Sequence, residues 1–173
     1  MKKEYNHLPH TNLIGHYQFI TFRTKESLDS YLKKLYNSNE IEKIKQYNID
    51  KYLDQSLNGA LLYGDVIGKI REYYLSYDKN VFEIEALSIM PNHIHVLLRQ
   101  NDNLSNVMRV LKGGAGHIVN KILGRKGAVW SRDYYDKVIK DERHFWVTYE
   151  YIKYNAVNAG LSDTDDRFFG RWG

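Results

Sequence analysis

His93 and His95 flank a single apolar residue, Ile94. Side chains alternate faces along a strand, so the two imidazoles share one face and can reach one cation. The residues that follow, Val96-Leu97-Leu98, are apolar throughout, which places the strand centrally in a sheet. Histidines there need hydrogen-bond partners or a metal; two solvated histidines on an edge strand are the alternative. A second group of polar residues sits near the C-terminus. Tyr151, Asn155 and Asn158 recur at steps of four and three, which stacks them on one helical flank about 6 Å apart. Phe145, Tyr149, Ile152, Ala156 and Ala159 form the core-facing stripe beside them. The flank offers a phenol and an amide together, and an amide oxygen suits a hard divalent cation. By spacing alone it reads as the polar side of an ordinary amphipathic helix.

The elements that must position these groups are readable in order. Tyr17–Phe22 mixes aromatic and β-branched residues and predicts a strand. Leu28, Tyr31, Leu32, Leu35 and Tyr36 recur at helical spacing behind a Ser27 cap. Residues 37–48 are charged and polar, a loose connection or a short helix. Asp65 caps a helix carrying Val66, Ile67, Ile70, Tyr73 and Tyr74. Residues 82–90 and 93–98 form an antiparallel pair across Pro91-Asn92. The first of these strands turns apolar on both faces in its second half. A helix over 104–123 is weakened by Gly113, Gly114 and Gly116. Residues 130–139 are extended, and a last helix over 142–159 stops at Gly160. This order predicts an α+β chain of the ferredoxin-like, split βαβ kind, an antiparallel sheet with helices packed on one face. The 173 residues suit one domain, with a core over 8–161 and a charged, then aromatic tail over 162–173 that is either mobile or docked by its aromatics.

Composition narrows the chemistry. With no cysteine, disulfides, thiolate nucleophiles and Cys-based zinc sites are excluded. Any metal must take His, carboxylate, amide or water ligands. A net charge of +4 permits a polyanionic partner without requiring one. Tyrosine is abundant, 15 residues, and can stack on unpaired bases or simply fill cores. No apolar run is long enough to cross a bilayer, and Met1-Lys2-Lys3-Glu4-Tyr5 lacks the apolar stretch of a signal peptide. A cytoplasmic location and no membrane partner are therefore expected.

Four stretches together resemble the single-tyrosine HUH transposases, most closely the REP-associated tyrosine transposase-like branch. They are Leu8-Pro9-His10 with Tyr17–Arg23, then Met90–Leu97 carrying the His-Ile-His motif, then Val129–Ile139, then Tyr151–Leu161. The resemblance spans residues 8 to 161. It implies His93, His95 and Asn155 as metal ligands, Tyr151 as nucleophile, and the same ferredoxin-like sheet. Two departures stand out. The family usually has Pro after the Asn, where this chain has Ala156, so the helix can run a turn further. The run Lys112–His117 is rich in glycine where relatives are more regular, although Lys112 matches a basic position of the family.

The resemblance thus implies an enzyme that cuts and rejoins single-stranded or hairpin DNA with Mg²⁺ or Mn²⁺ through a 5′-phosphotyrosine. Arg109 and Lys112 at i, i+3, Arg132 ahead of Tyr134-Tyr135, and Asn158 are the residues expected to contact DNA. Each is also readable as an ordinary solvated charge or packing aromatic. Two rival functions remain at this level: a non-catalytic single-stranded nucleic-acid-binding module, and a metal-dependent nuclease that uses water. A transposase that no longer cuts is a third. The chain is expected as a monomer or homodimer, and the sequence leaves open whether Tyr151 serves its own histidines or a partner's.

Overall fold

A computed structural model describes residues 10–173; Leu8 and Pro9 of the first family-like stretch, and residues 1–5 read above for a signal peptide, lie outside the described residues. Five strands form one antiparallel sheet in the order β4-β1-β3-β2-β5. Its strands are β1 (Tyr17–Arg23), β2 (Phe82–Ile89), β3 (His93–Gln100), β4 (Tyr135–Val138) and β5 (Phe168–Gly170). The first four give the order expected of a ferredoxin-like sheet. β3 is central, as its unbroken apolar run requires, and is buried everywhere except at Arg99.

Helices cover both faces of the sheet, not one. One face packs on α3 (Asp65–Ser76) and on the long helical stretch after β3, through Ile20, Phe22, Ile84, Leu87, Ile94, Val96 and Leu98. The other packs on α6 (Glu142–Asn158), where Ala86 and Leu97 meet Tyr149 and Ile152. The reason lies in β2 and β3 themselves. Strands apolar on both faces need cover on both, and the core stripe of α6 supplies the second layer. Two further helices, α1 (Ser30–Tyr36) and α2 (Glu42–Gln55), make a hairpin with its own small core of Leu32, Ile49 and Leu53. The residues 37–48 thus largely belong to a full helix. The cap of α1 is Asp29, whose carboxylate accepts from the Leu32 N–H, and not Ser27. Asp65 is the first residue of α3, behind a Gly64 whose φ of 57° favours glycine.

One of the three glycines expected to weaken a single helix, Gly114, instead lets it pack. The stretch runs as α4 (Leu104–Met108), a π-helical turn over Arg109–Gly114, and α5 (Ala115–Leu123). At Gly114 a Cβ would overlap the Tyr73 ring, whose hydroxyl donates to the Val110 carbonyl at 3.0 Å. Tyr74 donates likewise to Leu111 at 2.6 Å. The π-turn lets α3 approach closely and gives two carbonyls new partners. The C-terminal residues are docked, not loose. After the short α7 (Thr164–Arg167), β5 pairs with β2 through Ser88↔Phe168 and Ala86↔Gly170. Arg167 is 1% exposed and donates to the carbonyls of Leu62 and Ile89.

Candidate active site

One row of residues crosses the sheet on the α6 side. Cross-strand pairing aligns Tyr135, Thr21, His95, Ser88 and Phe168, one from each strand. The neighbouring pair Arg23↔His93 lies two residues along the same face. His93 and His95 therefore sit on the two central strands' shared surface, both fully buried, with ring centroids 4.8 Å apart.

Each imidazole is fixed by its Nδ1. The Asn92 amide nitrogen donates to the carbonyls of Leu53, Ser56 and Asn58, which orients its oxygen toward His93. That oxygen can only accept, so His93 Nδ1 carries the hydrogen of this 2.7 Å bond. The Nε2 lone pair is then directed away, free to bind a cation. His95 Nδ1 is hydrogen-bonded to the Thr21 hydroxyl at 2.7 Å. Burial first, and His93 second, hold His95 well below the ordinary imidazole range, so it stays neutral.

α6 brings the phenol to this surface. The Tyr151 ring lies 5.4 Å from the His95 ring and 6.1 Å from Phe19, edge-on to both. Asn155, one turn further and 4% exposed, has its side-chain oxygen without a hydrogen-bond partner. The helix continues past Ala156 to Asn158, as the missing proline allows. The phenol and histidines thus meet within one chain.

Sequence reasoning missed the contribution of α2. Tyr151 Oη donates to Asp50 Oδ2 at 2.9 Å, and Gln46 donates to the other oxygen at 3.0 Å. Asp54, one turn on, places Oδ1 3.4 Å from His93 Nε2. Burial pushes the Asp50 carboxyl up to about 6, against the opposing pull of His93 and Tyr151. The Tyr151 phenol is pushed far above its ordinary range, by burial first and then by Asp50. Asp50 and Asp54 at i, i+4 were the available signal. They went unread because the polar composition of residues 37–48 concealed the helix that carries them.

The buried polar atoms here fit a cation. His93 Nε2, His95 Nε2, Asn155 Oδ1 and Asp54 Oδ1 all lack hydrogen-bond partners. An imidazole lone pair facing a carboxylate oxygen at 3.4 Å is repulsive unless positive charge lies nearby. Among the described residues no three His, Cys, Asp or Glu side chains make a metal cage, and Asn155 offers an amide oxygen besides.

The residues expected to contact DNA divide. A groove of about 800 Å³ beside the site is lined by Arg132 and Tyr135, with Arg23, Lys25, Tyr36 and Tyr134. Lys112 does not face it with a free charge: its ammonium donates to the carbonyls of Ser131 and Arg132, at 2.6 and 3.2 Å. It holds the groove wall instead. Arg109 is exposed on the π-turn, its guanidinium on the Asn106 side-chain oxygen, in the helical layer that covers the opposite face. Asn158 is exposed at the end of α6.

Comparison with known proteins decides the family. The transposase IS200-like family matches residues 51–155, from α2 to the site asparagine. The chain belongs to that family. A Haemophilus influenzae protein named as a REP-associated tyrosine transposase is 26% identical over 109 residues, covering 56% of this chain. The match spans 62% of that relative's length. Among solved structures, a REP-associated tyrosine transposase bound to a REP hairpin superposes with a TM-score of 0.52 at 18% identity, covering 93% of this chain and 79% of that one. A Deinococcus radiodurans transposase structure gives a TM-score of 0.47 at 15% identity, covering 90% of this chain and 98% of that one. The first supports the fold of this IS200-like chain, a five-stranded antiparallel sheet between helical layers.

Proposed function

We propose that this IS200-like protein nicks and joins single-stranded DNA, with Tyr151 as nucleophile and a 5′-phosphotyrosine as intermediate. The observation that carries this reading is the phenol edge-on to His95, 5.4 Å between rings, beside four buried acceptor atoms that lack partners. His93, His95 and Asn155 would hold Mg²⁺ or Mn²⁺. The bound ion supplies Lewis-acid polarisation of the scissile phosphate and offsets charge in the transition state.

The chain's own residues do the rest. Asn92 keeps the His93 Nε2 lone pair directed at the site, and Thr21 holds the His95 ring in place. The α6 layer buries the phenol so that Oη, not solvent water, is the group presented to phosphorus. Attack by Oη displaces the 3′-oxygen and keeps the phosphoryl bond on the enzyme, so a later 3′-hydroxyl can rejoin strands without a nucleotide cofactor. Arg23, Lys25 and Arg132 give the groove positive charge for phosphates, and Tyr135 a face for an unpaired base. A REP hairpin is the ligand of the solved relative, and a hairpin-bearing strand is the substrate we assign here. Asn158, exposed at the end of α6, is the outer contact on this reading, Arg109 lies in the layer over the opposite face, and the protein acts in the cytoplasm. Since phenol and imidazoles share one chain, a monomer is competent.

The test is cleavage of 5′-labelled oligonucleotides that carry a hairpin with randomised flanks, with Mn²⁺ present. Cleavage should require the metal and stop with EDTA. Cleavage that survives EDTA contradicts the assignment.

A further inference from the structure

The Tyr151 hydroxyl meets a group that lies in none of the four family-like stretches and just outside the family-matched residues 51–155. Asp50 is 4% exposed, and its two oxygens accept from Tyr151 and from Gln46. No Arg or Lys is hydrogen-bonded to it among the described residues. Keeping a carboxylate buried with only neutral donors costs stability. A group retained at that cost, aimed at the reacting atom, points to chemistry more than to packing.

We propose that Asp50 is the general base for Tyr151: its Oδ2 takes the phenol's proton as Oη attacks phosphorus, and gives it back when a 3′-hydroxyl displaces the tyrosine. This rests on the phosphotyrosine reading above. In cleavage the Oη–P bond forms while the P–O3′ bond breaks. The Oη proton moves to Oδ2, and the departing 3′-oxygen takes a proton from solvent. In joining, the incoming 3′-hydroxyl loses its proton to solvent, the Oη–P bond breaks, and the Oδ2 proton returns to Oη.

Two features of the environment agree. The phenol is held far from spontaneous ionisation, so its proton must leave during attack. A carboxyl lifted to about 6 is a stronger base than an ordinary one and is still ionised at neutral pH. The groups facing Asp50 are Gln46 and Asp54 from its own helix, Tyr151 from α6 and His93 from β3, with Tyr36 and Tyr135 at longer range.

The experiment measures single-turnover formation of the covalent adduct by the full chain with Mn²⁺, using 3′-labelled hairpin oligonucleotides with randomised flanks. Asp50→Asn keeps an oxygen for the Tyr151 hydrogen bond but removes the base. The adduct rate should fall about a hundredfold or more, with hairpin affinity unchanged. Replacing Tyr151 by the more acidic 3,5-difluorotyrosine should then recover at least about tenfold in the Asn variant and change the Asp50 enzyme little. A packing role would not respond to phenol acidity. Equal rates in the two chains, or a deficit that fluorination leaves untouched, overturns the proposal. If the unsubstituted chain forms no adduct, the phosphotyrosine reading falls, and this proposal with it.

Discussion

At the scale of single residues, Asp50 carries a stability cost that should be measurable. Folding raises its pKa to about 6, so between the ordinary carboxylate value and 6 the folded chain binds more protons than the unfolded one. Stability from this group is therefore present at acid pH and is lost as pH rises to about 6. Asp50→Asn should be more stable than the parent by about 1–3 kcal/mol at pH 7.5 in EDTA, with the difference vanishing near pH 4. Denaturant melts at the two pH values check this, and a destabilised Asn variant at pH 7.5 contradicts it. His95 works with the opposite sign. Its folded pKa is depressed, so its contribution is lost as pH falls below the ordinary imidazole value. Because His95 resists protonation, a fall in cleavage below about pH 6 is expected from Asp50 more than from His95. Cleavage rates that stay flat from pH 8 to pH 5 would rule this out. The histidine pair and the phenol–amide spacing were legible in the sequence because strand and helix periodicities alone set which side chains share a face. Their partners Asn92 and Thr21 were not singled out, since a hydrogen bond to Nδ1 leaves no periodic trace.

At the scale of elements, the turn between β2 and β3 is tied to the end of α2 by one amide. Asn92 donates to three carbonyls there and accepts from His93. Asn92→Ala leaves those groups without partners in a buried place, so a loss of about 2–4 kcal/mol is expected. Mn²⁺ affinity, read by calorimetry, should weaken as well, because His93 loses its orientation. A variant with unchanged melting and unchanged metal affinity would show that the turn positions nothing. Strong apolar periodicity made α3 and α6 legible, and the alternation of β2 and β3 gave the central pair. α2 was not legible over its first half, because its apolar residues there, Ile44 and Tyr47, are exposed, and the buried Ile49 and Leu53 come only in its second half. The π-turn was unreadable for another reason: Gly113 and Gly114 signal weakness locally, whereas what Gly114 accommodates is the Tyr73 ring from α3, a contact distant in sequence.

At the scale of the molecule, the sheet is closed on its β2 edge by the last residues of the chain. Arg167 is buried and its guanidinium satisfies the carbonyls of Leu62 and Ile89, while Arg171 pairs with Asp78 at 2.6 Å and donates to the Ile84 carbonyl at 3.0 Å. Arg167→Ala strands two buried carbonyls and removes a large side chain, so about 2–4 kcal/mol of stability should be lost. Thermal melting reads this directly, and a shift within error would mean that the C-terminal segment contributes little. Helices on both faces have a functional consequence. The α3–α5 layer makes the larger apolar core, and Thr21, His93 and His95 are buried on the α6 face. The sequence showed both halves of that arrangement, a doubly apolar β2 and a polar flank on α6, yet their conjunction depended on long-range packing.

The central claim is that the Tyr151 oxygen becomes bonded to DNA. Protein incubated with Mn²⁺ and hairpin-bearing single strands should yield a band stable to denaturation, and mass spectrometry after digestion should place a 5′-phosphonucleotide on the peptide containing Tyr151. Tyr151→Phe should lose the band while retaining hairpin binding. Cleaved strands with free ends and no adduct, or an adduct mapped to a different residue, would contradict it.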